Sequence, residues 1–129
     1  RWIASLVFNS MWALRLGIRV ASPFITKDPN WPEMMNRDLS KTTLESFLTS
    51  ISTLRQTDLR PHLDKVKMPA MGMYGKKDVI VDPNQWQLMQ THIPNVRIER
   101  FDDAGHFIML DQPNQFMELL RHFIEITNK

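Results

Sequence analysis

Between residues 68 and 127 the chain reads strand, helix, strand, helix. "MPAMGMYG", closed by Gly75, suits a buried strand, and "VRIERFD", with Val96, Ile98 and Phe101 in imperfect alternation, suits another. Between them "DPNQWQLMQTHIP" predicts a helix with Asp82 as N-cap and Pro83 at the first helical position. Trp86, Met89 and Ile93 fall on one face of it. "QPNQFMELLRHFIEITNK" predicts a final helix, with Pro113 near its start and an apolar stripe of Phe116, Leu119, Leu120, Phe123 and Ile124. Two strands joined through a helix are parallel, with a right-handed crossover. Parallel strands need both faces covered, and two strands make a poor sheet by themselves.

The first 67 residues supply no third strand. Residues 2–16 are apolar almost all round (Ile3, Leu6, Val7, Phe8, Met11, Trp12, Leu14) and predict a helix buried on more than one side. "ASPFITKDPNWPEMMNRD", with three prolines and little periodicity, reads as a loop with room for a short helix. Leu44, Phe47, Leu48, Ile51 and Leu54 form one helical stripe, with Thr42 and Glu45 as a capping box. "TDLRPHLDKV" is a further short segment. The expected fold class is therefore α/β, the edge of a larger parallel sheet whose other strands are absent, preceded by helical segments.

Composition narrows the function classes. A hydrophobic content of 43% with 23% charged residues describes a globular chain long enough for its own core. The net charge is +2, with no basic run interleaved with aromatics, so nucleic acid is not an expected partner. The uncharged run Trp2–Leu14 is too short to span a bilayer and lacks the pattern of a signal peptide. There is no Cys, hence no thiol nucleophile or thiolate metal site, and the expected compartment is the cytoplasm. Seven of the nine methionines, Met34, Met35, Met71, Met73, Met89, Met109 and Met117, read as gap-filling core residues. Trp2, Phe8, Trp12, Phe24 and Trp31 are better explained by core packing than as a pocket lining.

Ligands of parallel α/β sheets bind beyond the carboxyl ends of the strands. Asp78, in "GKKDVIVDP", follows the first strand, and His106, in "DAGHFIML", follows the second. Neighbouring parallel strands set those two loops side by side, although 28 residues separate the two side chains. A carboxylate that accepts a hydrogen bond from one imidazole nitrogen fixes the tautomer and leaves the other nitrogen as a base. It also stabilises the imidazolium that forms when that base takes a proton. Gly105 lets the chain turn sharply and lift the ring out of the strand. His62, His92 and His122 have no such setting; His122, beside core positions on a helix, and His92, near a helix end, read as structural.

Taken together, "MPAMGMYGKKDVIVDPNQ" and "IPNVRIERFDDAGHFIMLDQPNQFMELLRHFI" resemble the C-terminal end of the α/β-hydrolase superfamily. The proline before the seventh strand, the Gly-x-x-Asp turn, the Gly-His pair and the proline opening the last helix all match. The resemblance covers residues 58–127. It implies a C-terminal part of the hydrolase core at 58–129 and, by position and helicity, a helical cap at 1–57. It makes Asp78 the triad acid and His106 the triad base. Ile80 and Phe107, beside that pair, are the expected substrate contacts. Asp102 and Asp103 read as strand-end residues, and Asp111, where members often have Glu, as a cap for the last helix.

The family's nucleophile stands on a Gly-x-Ser-x-Gly elbow. The four glycines here are Gly17, Gly72, Gly75 and Gly105, no two of them four apart. Family order is nucleophile, acid, base. The expectation is therefore the C-terminal half of a longer hydrolase, inactive alone, working with a nucleophile encoded before Arg1. A Ser nucleophile implies an ester, amide, lactone or cleavable ketone; an Asp implies epoxide or haloalkane hydrolysis. The alternatives are a non-catalytic, receptor-like ligand binder and a cofactor-free haloperoxidase-type oxidoreductase. Neither cofactor nor metal is expected. The expected partners are a small-molecule substrate and the missing N-terminal half, with self-association or domain exchange through an exposed sheet edge.

Overall fold

The computed structural model of the protein describes residues 10–128. Helices α1 (Met11–Ile25), α2 (Trp31–Leu39) and α3 (Leu44–Gln56) precede a 3-10 turn at Arg60–Lys65. Strand β1 (Ala70–Gly75), helix α4 (Trp86–His92), strand β2 (Val96–Phe101), the single turn α5 (Ile108–Asp111) and helix α6 (Pro113–Thr127) follow. By their contacts these residues form two compact units. One is the chain up to Pro23 with Pro29–Asp58; the other is Phe24–Asp28 with Leu59 onward.

The first unit is helical throughout. Of the helix expected over residues 2–16, the part before residue 10 lies outside the described residues. Beyond it α1 runs on to Ile25, through sequence that reads as loop. Pro23 stands inside its last turn, where it lacks the N–H that would bond the Arg19 carbonyl, and the helix ends two residues later. Most of the remaining expected loop is α2, with Pro32 in its first turn, where a missing N–H costs nothing. Helix α3 sits where the apolar stripe puts it, but its cap is one residue later: Thr43 Oγ1 accepts from the Ser46 N–H at 3.1 Å, in place of a Thr42–Glu45 box.

Trp31 and Leu39 are buried in this unit, as core packing requires. Helix α1 departs from the expected burial on more than one side, and the core-packing reading of Trp12 and Phe24 does not hold. Trp12 and Phe24 are 61% and 71% exposed, and Leu16 and Val20 between them are exposed too, so every fourth residue presents apolar surface to water. Trp2 and Phe8 lie outside the described residues.

The second unit carries the sheet. β1 and β2 pair in parallel, in a register running from Ala70 opposite Val96 to Gly75 opposite Phe101. Among the described residues they pair only with one another. Helix α4 packs against both strands. It starts at Trp86, later than its sequence signal, because Asp82 caps a preceding turn: its Oδ1 accepts from the Asn84 N–H at 2.9 Å. Trp86, Met89 and Ile93 do face inward, with Ile93 buried, and the Tyr74 hydroxyl donates to Met89 Sδ. Burial raises the Tyr74 pKa above its ordinary value. Asn95 turns the chain into β2 with φ 58°, a left-handed conformation that asparagine tolerates.

The core of this unit is Phe101, Ala104 and Ile108, with Met73, Phe116 and Leu119 packed around them. Met73 fills the core as its chemistry suggests, whereas Met109 and Met117 are largely exposed. The core lies directly beneath the carboxyl end of β2. The loop that follows that strand is therefore seated on packed side chains.

Candidate active site

The loops after β1 and β2 are stitched together by backbone before any side chain is considered. The Lys76 N–H donates to the Phe101 carbonyl at 2.9 Å and the Lys77 N–H to the Ala104 carbonyl at 3.0 Å. Lys76 pairs with Asp102 and Lys77 with Asp103, each at 2.6 Å. The Lys77 ammonium, by hydrogen bond and charge, holds the Asp103 carboxyl below the usual carboxylate range. Gly75 makes the close approach possible, because a Cβ there would strike the carbonyl groups of Gly105 and Ala104.

Asp78 stands on the first of these loops, its side chain 13% exposed. One carboxylate oxygen, Oδ1, accepts from the Ile80 and Val81 N–H groups at 2.8 and 3.0 Å. This Asx-type turn orients the other oxygen. Oδ2 lies 2.9 Å from Nδ1 of His106, whose side chain is 33% exposed. The two residues singled out from sequence are therefore in hydrogen-bond contact on the rim beyond the strand ends. The competing acids, Asp102 and Asp103, are occupied by Lys76 and Lys77.

An Asp that accepts from Nδ1–H leaves Nε2 of the same ring as the nitrogen that can take and return a proton. Phe107 stacks edge-on against the His106 ring, centroids 5.0 Å apart and planes at 89°. Ile80 is half-exposed beside Asp78, its N–H committed to that carboxylate. Both residues named as substrate contacts thus border the pair. The other histidines do not approach it. His92 Nδ1 bonds the Leu88 carbonyl of its own helix, His62 Nδ1 lies 3.2 Å from Lys65 Nζ, and His122 is exposed on α6. Among the described residues no three His, Asp or Glu side chains converge as a metal-ligand set.

Two readings of this loop need correction. Gly105 does not adopt a positive φ, so a sharp turn is not what requires it. Instead, a Cβ at that position would meet the Ile25 carbonyl. Asp111 does not cap α6; the residue at the cap is Gln112, which makes no side-chain capping bond. The Asp111 carboxylate turns back, accepting from the Gly105 N–H at 2.6 Å, the Thr26 hydroxyl at 2.5 Å and the Lys27 N–H at 2.7 Å. The His106 N–H in turn donates to the Ile25 carbonyl at 3.0 Å.

Burial of Asp111 favours its protonated form, but the bonds from Thr26, Gly105 and Lys27 together outweigh it and hold its pKa below the usual carboxylate range. A carboxylate depressed in the folded state contributes stability that is full above its unfolded pKa and lost as pH falls through the folded one. We expect amide exchange at Gly105, corrected for its intrinsic pH dependence, to stay slow down to about pH 4, near the unfolded carboxylate pKa, and to accelerate below it. An exchange rate that follows the intrinsic profile throughout this range would contradict that linkage.

The fold has known relatives. Residues 15–113 match the model of the "alpha/beta hydrolase fold" family. The chain belongs to that family. Its α/β-hydrolase relatives include a pimeloyl-[acyl-carrier protein] methyl ester esterase of Nitrosomonas europaea, 34% identical over 75 residues, which are 58% of this chain and 30% of the relative. A 3-oxoadipate enol-lactonase 2 of Acinetobacter baylyi is 26% identical over 106 residues, 82% of this chain and 38% of the relative. Among solved hydrolase structures, the esterase EaEST of Exiguobacterium antarcticum superposes with a TM-score of 0.80 at 21% identity, covering 95% of this chain and 47% of the esterase, a likeness of fold. The chain thus spans less than two fifths of these curated relatives and about half of that solved hydrolase. Its two-stranded sheet is a part of the hydrolase fold, not the whole of it.

Proposed function

We propose that this chain supplies the acid and the base of a nucleophile–acid–histidine triad that hydrolyses esters, lactones or similar acyl bonds. The observation that carries the reading is the 2.9 Å contact between Asp78 Oδ2 and His106 Nδ1 at the carboxyl ends of adjacent parallel strands. The esterase and enol-lactonase names of the relatives favour acyl transfer, and hence a serine nucleophile, over epoxide or haloalkane chemistry. In this reading His106 Nε2 takes the hydroxyl proton as the nucleophile attacks the acyl carbon. It returns that proton to the departing alkoxide, leaving an acyl-enzyme. It then takes a proton from water as the hydroxide attacks the acyl carbon, and gives that proton to the nucleophile oxygen as the acyl-enzyme bond breaks and the acid departs. Asp78 holds the ring in the Nδ1–H tautomer and balances the imidazolium charge. Ile80 and Phe107 border the acyl or alkoxy group.

The nucleophile belongs to chain outside these 129 residues. The unpaired outer edge of β1 is where the rest of the sheet would join, and the helices of the first unit serve as a cap. The 129-residue chain is expected not to turn over p-nitrophenyl acetate, and to do so once combined with a complementary half bearing the nucleophile elbow. Robust turnover by the isolated chain, or none after a stable complex forms with that half, would refute this.

A further inference from the structure

One carboxylate of the second unit has no part in the triad but sits at the junction that fixes His106. Asp111 is joined to Gly105, the residue before the histidine, and to Thr26 and Lys27, some 85 residues earlier in the chain. The His106 N–H is joined to the carbonyl of Ile25, the neighbour of Thr26. The N–H groups on both sides of the Gly105 Cα are therefore pinned to the segment 25–27, that of His106 directly and that of Gly105 through Asp111. The close fit of Gly105 under the Ile25 carbonyl leaves no room for a Cβ between them. Asp78 fixes only the ring, through Nδ1. The second set of bonds ties the path between Ala104 and Ile108, themselves held by the core, to the segment 25–27.

We propose that Asp111 is a positioning residue for His106: its carboxylate locks segment 25–27 against the histidine loop and so sets the Nδ1–Asp78 hydrogen bond. The functional meaning of that bond rests on the triad reading above, but its presence does not. Three donors converge on two oxygens, an arrangement that only an unprotonated carboxylate satisfies fully. An asparagine places an N–H₂ group against at least one N–H or O–H donor and breaks the clamp on one side. A glutamate keeps the charge and all the acceptor sites. Thr26 is a secondary strut, because the Lys27 N–H still bonds the same Asp111 oxygen when the hydroxyl is removed.

The test is NMR of the protein labelled with nitrogen-15 at histidine. The wild type is expected to show a downfield, slowly exchanging Nδ1–H resonance for His106 that vanishes in Asp78→Asn. In Asp111→Asn, with the backbone amide spectrum still that of a folded chain, that resonance is expected to broaden or disappear and the ring to populate both tautomers. Asp111→Glu is expected to restore it at least in part, and Thr26→Ala to retain it. If Asp111→Asn does not fold, Asp111→Glu and Thr26→Ala decide the matter: a lost resonance in folded Asp111→Glu overturns the carboxylate clamp, as does an unperturbed resonance in folded Asp111→Asn. Absence of the resonance from the wild type would instead overturn the Asp78–His106 pair itself.

Discussion

Asp78→Asn is expected to lower kcat for ester hydrolysis about ten-thousand-fold in a nucleophile-bearing form of the protein, with KM little changed. The reason lies in the two ends of the carboxylate. Oδ1 is held by the Ile80 and Val81 N–H groups, and these bonds are satisfied equally well by an asparagine oxygen. The other atom then becomes an N–H₂ group facing His106 Nδ1, which must accept a hydrogen bond instead of donating one. The proton moves to Nε2, and the nitrogen that has to act as base arrives already protonated. The geometry survives while the tautomer is wrong, so the loss falls on the chemical step and not on binding. Stopped-flow and steady-state kinetics on p-nitrophenyl esters measure it. His106→Ala is expected to cost at least as much, because it removes the base outright.

Phe101→Ala is the substitution expected to cost most in stability, about 3–5 kcal/mol by urea titration. Phe101 is fully buried and is the largest such side chain among the described residues. It ends β2 and packs with Ala104 and Ile108, while Met73, Phe116 and Leu119 close around it. Its carbonyl also receives the Lys76 N–H that ties the two site loops together. A cavity there removes both the transfer energy of the ring and the seat of the histidine loop. The site should loosen along with the core, and the His106 Nδ1–H resonance should exchange faster in any fraction that stays folded. A change below about 1 kcal/mol would show that the neighbours collapse into the space, contrary to the packing described.

How much of this was readable from the chain differs from place to place, for physical reasons. β1 announces itself as a short apolar run closed by Gly75, and β2 by the alternation of Val96, Ile98 and Phe101 closed by Asp102. Their parallel pairing follows from the helix between them. From there, Asp78 and His106 follow from topology: two loops at the same end of adjacent strands must be neighbours, and the structure brings their side chains into contact. Helix boundaries were less legible. Asp82 satisfies an N–H two residues on and so looks like a helix cap, but the N–H belongs to a turn that precedes α4. Thr42 and Thr43 are equally good caps by composition, and only the position of the Ser46 N–H separates them. The prolines at 23 and 32 suggested a loop, yet Pro32 occupies a first turn that tolerates it and Pro23 stands two residues before its helix ends.

The role of Asp111 was not legible. An acid just before a proline that opens a helix has the local signature of a cap, and the partners it finds instead, Thr26 and Lys27, lie some 85 residues away with no periodicity to connect them. A weak signal did exist: capping favours the residue immediately outside the helix, and that residue is Gln112. The exposed stripe of α1 was likewise hidden. A run that is apolar on every side predicts burial, but burial needs neighbours, and in the chain as it stands Trp12, Leu16, Val20 and Phe24 have water. No helix among the described residues is long and apolar enough to cross a membrane.

That the carboxylate at 78 works only through the imidazole at 106 is best tested by a double-mutant cycle on kcat/KM for ester hydrolysis, comparing Asp78→Asn, His106→Ala and the two combined. If the two form one proton-transfer unit, adding Asp78→Asn to His106→Ala costs less than about threefold. If each substitution takes its full toll regardless of the other, the 2.9 Å contact is a neighbourhood without a shared function.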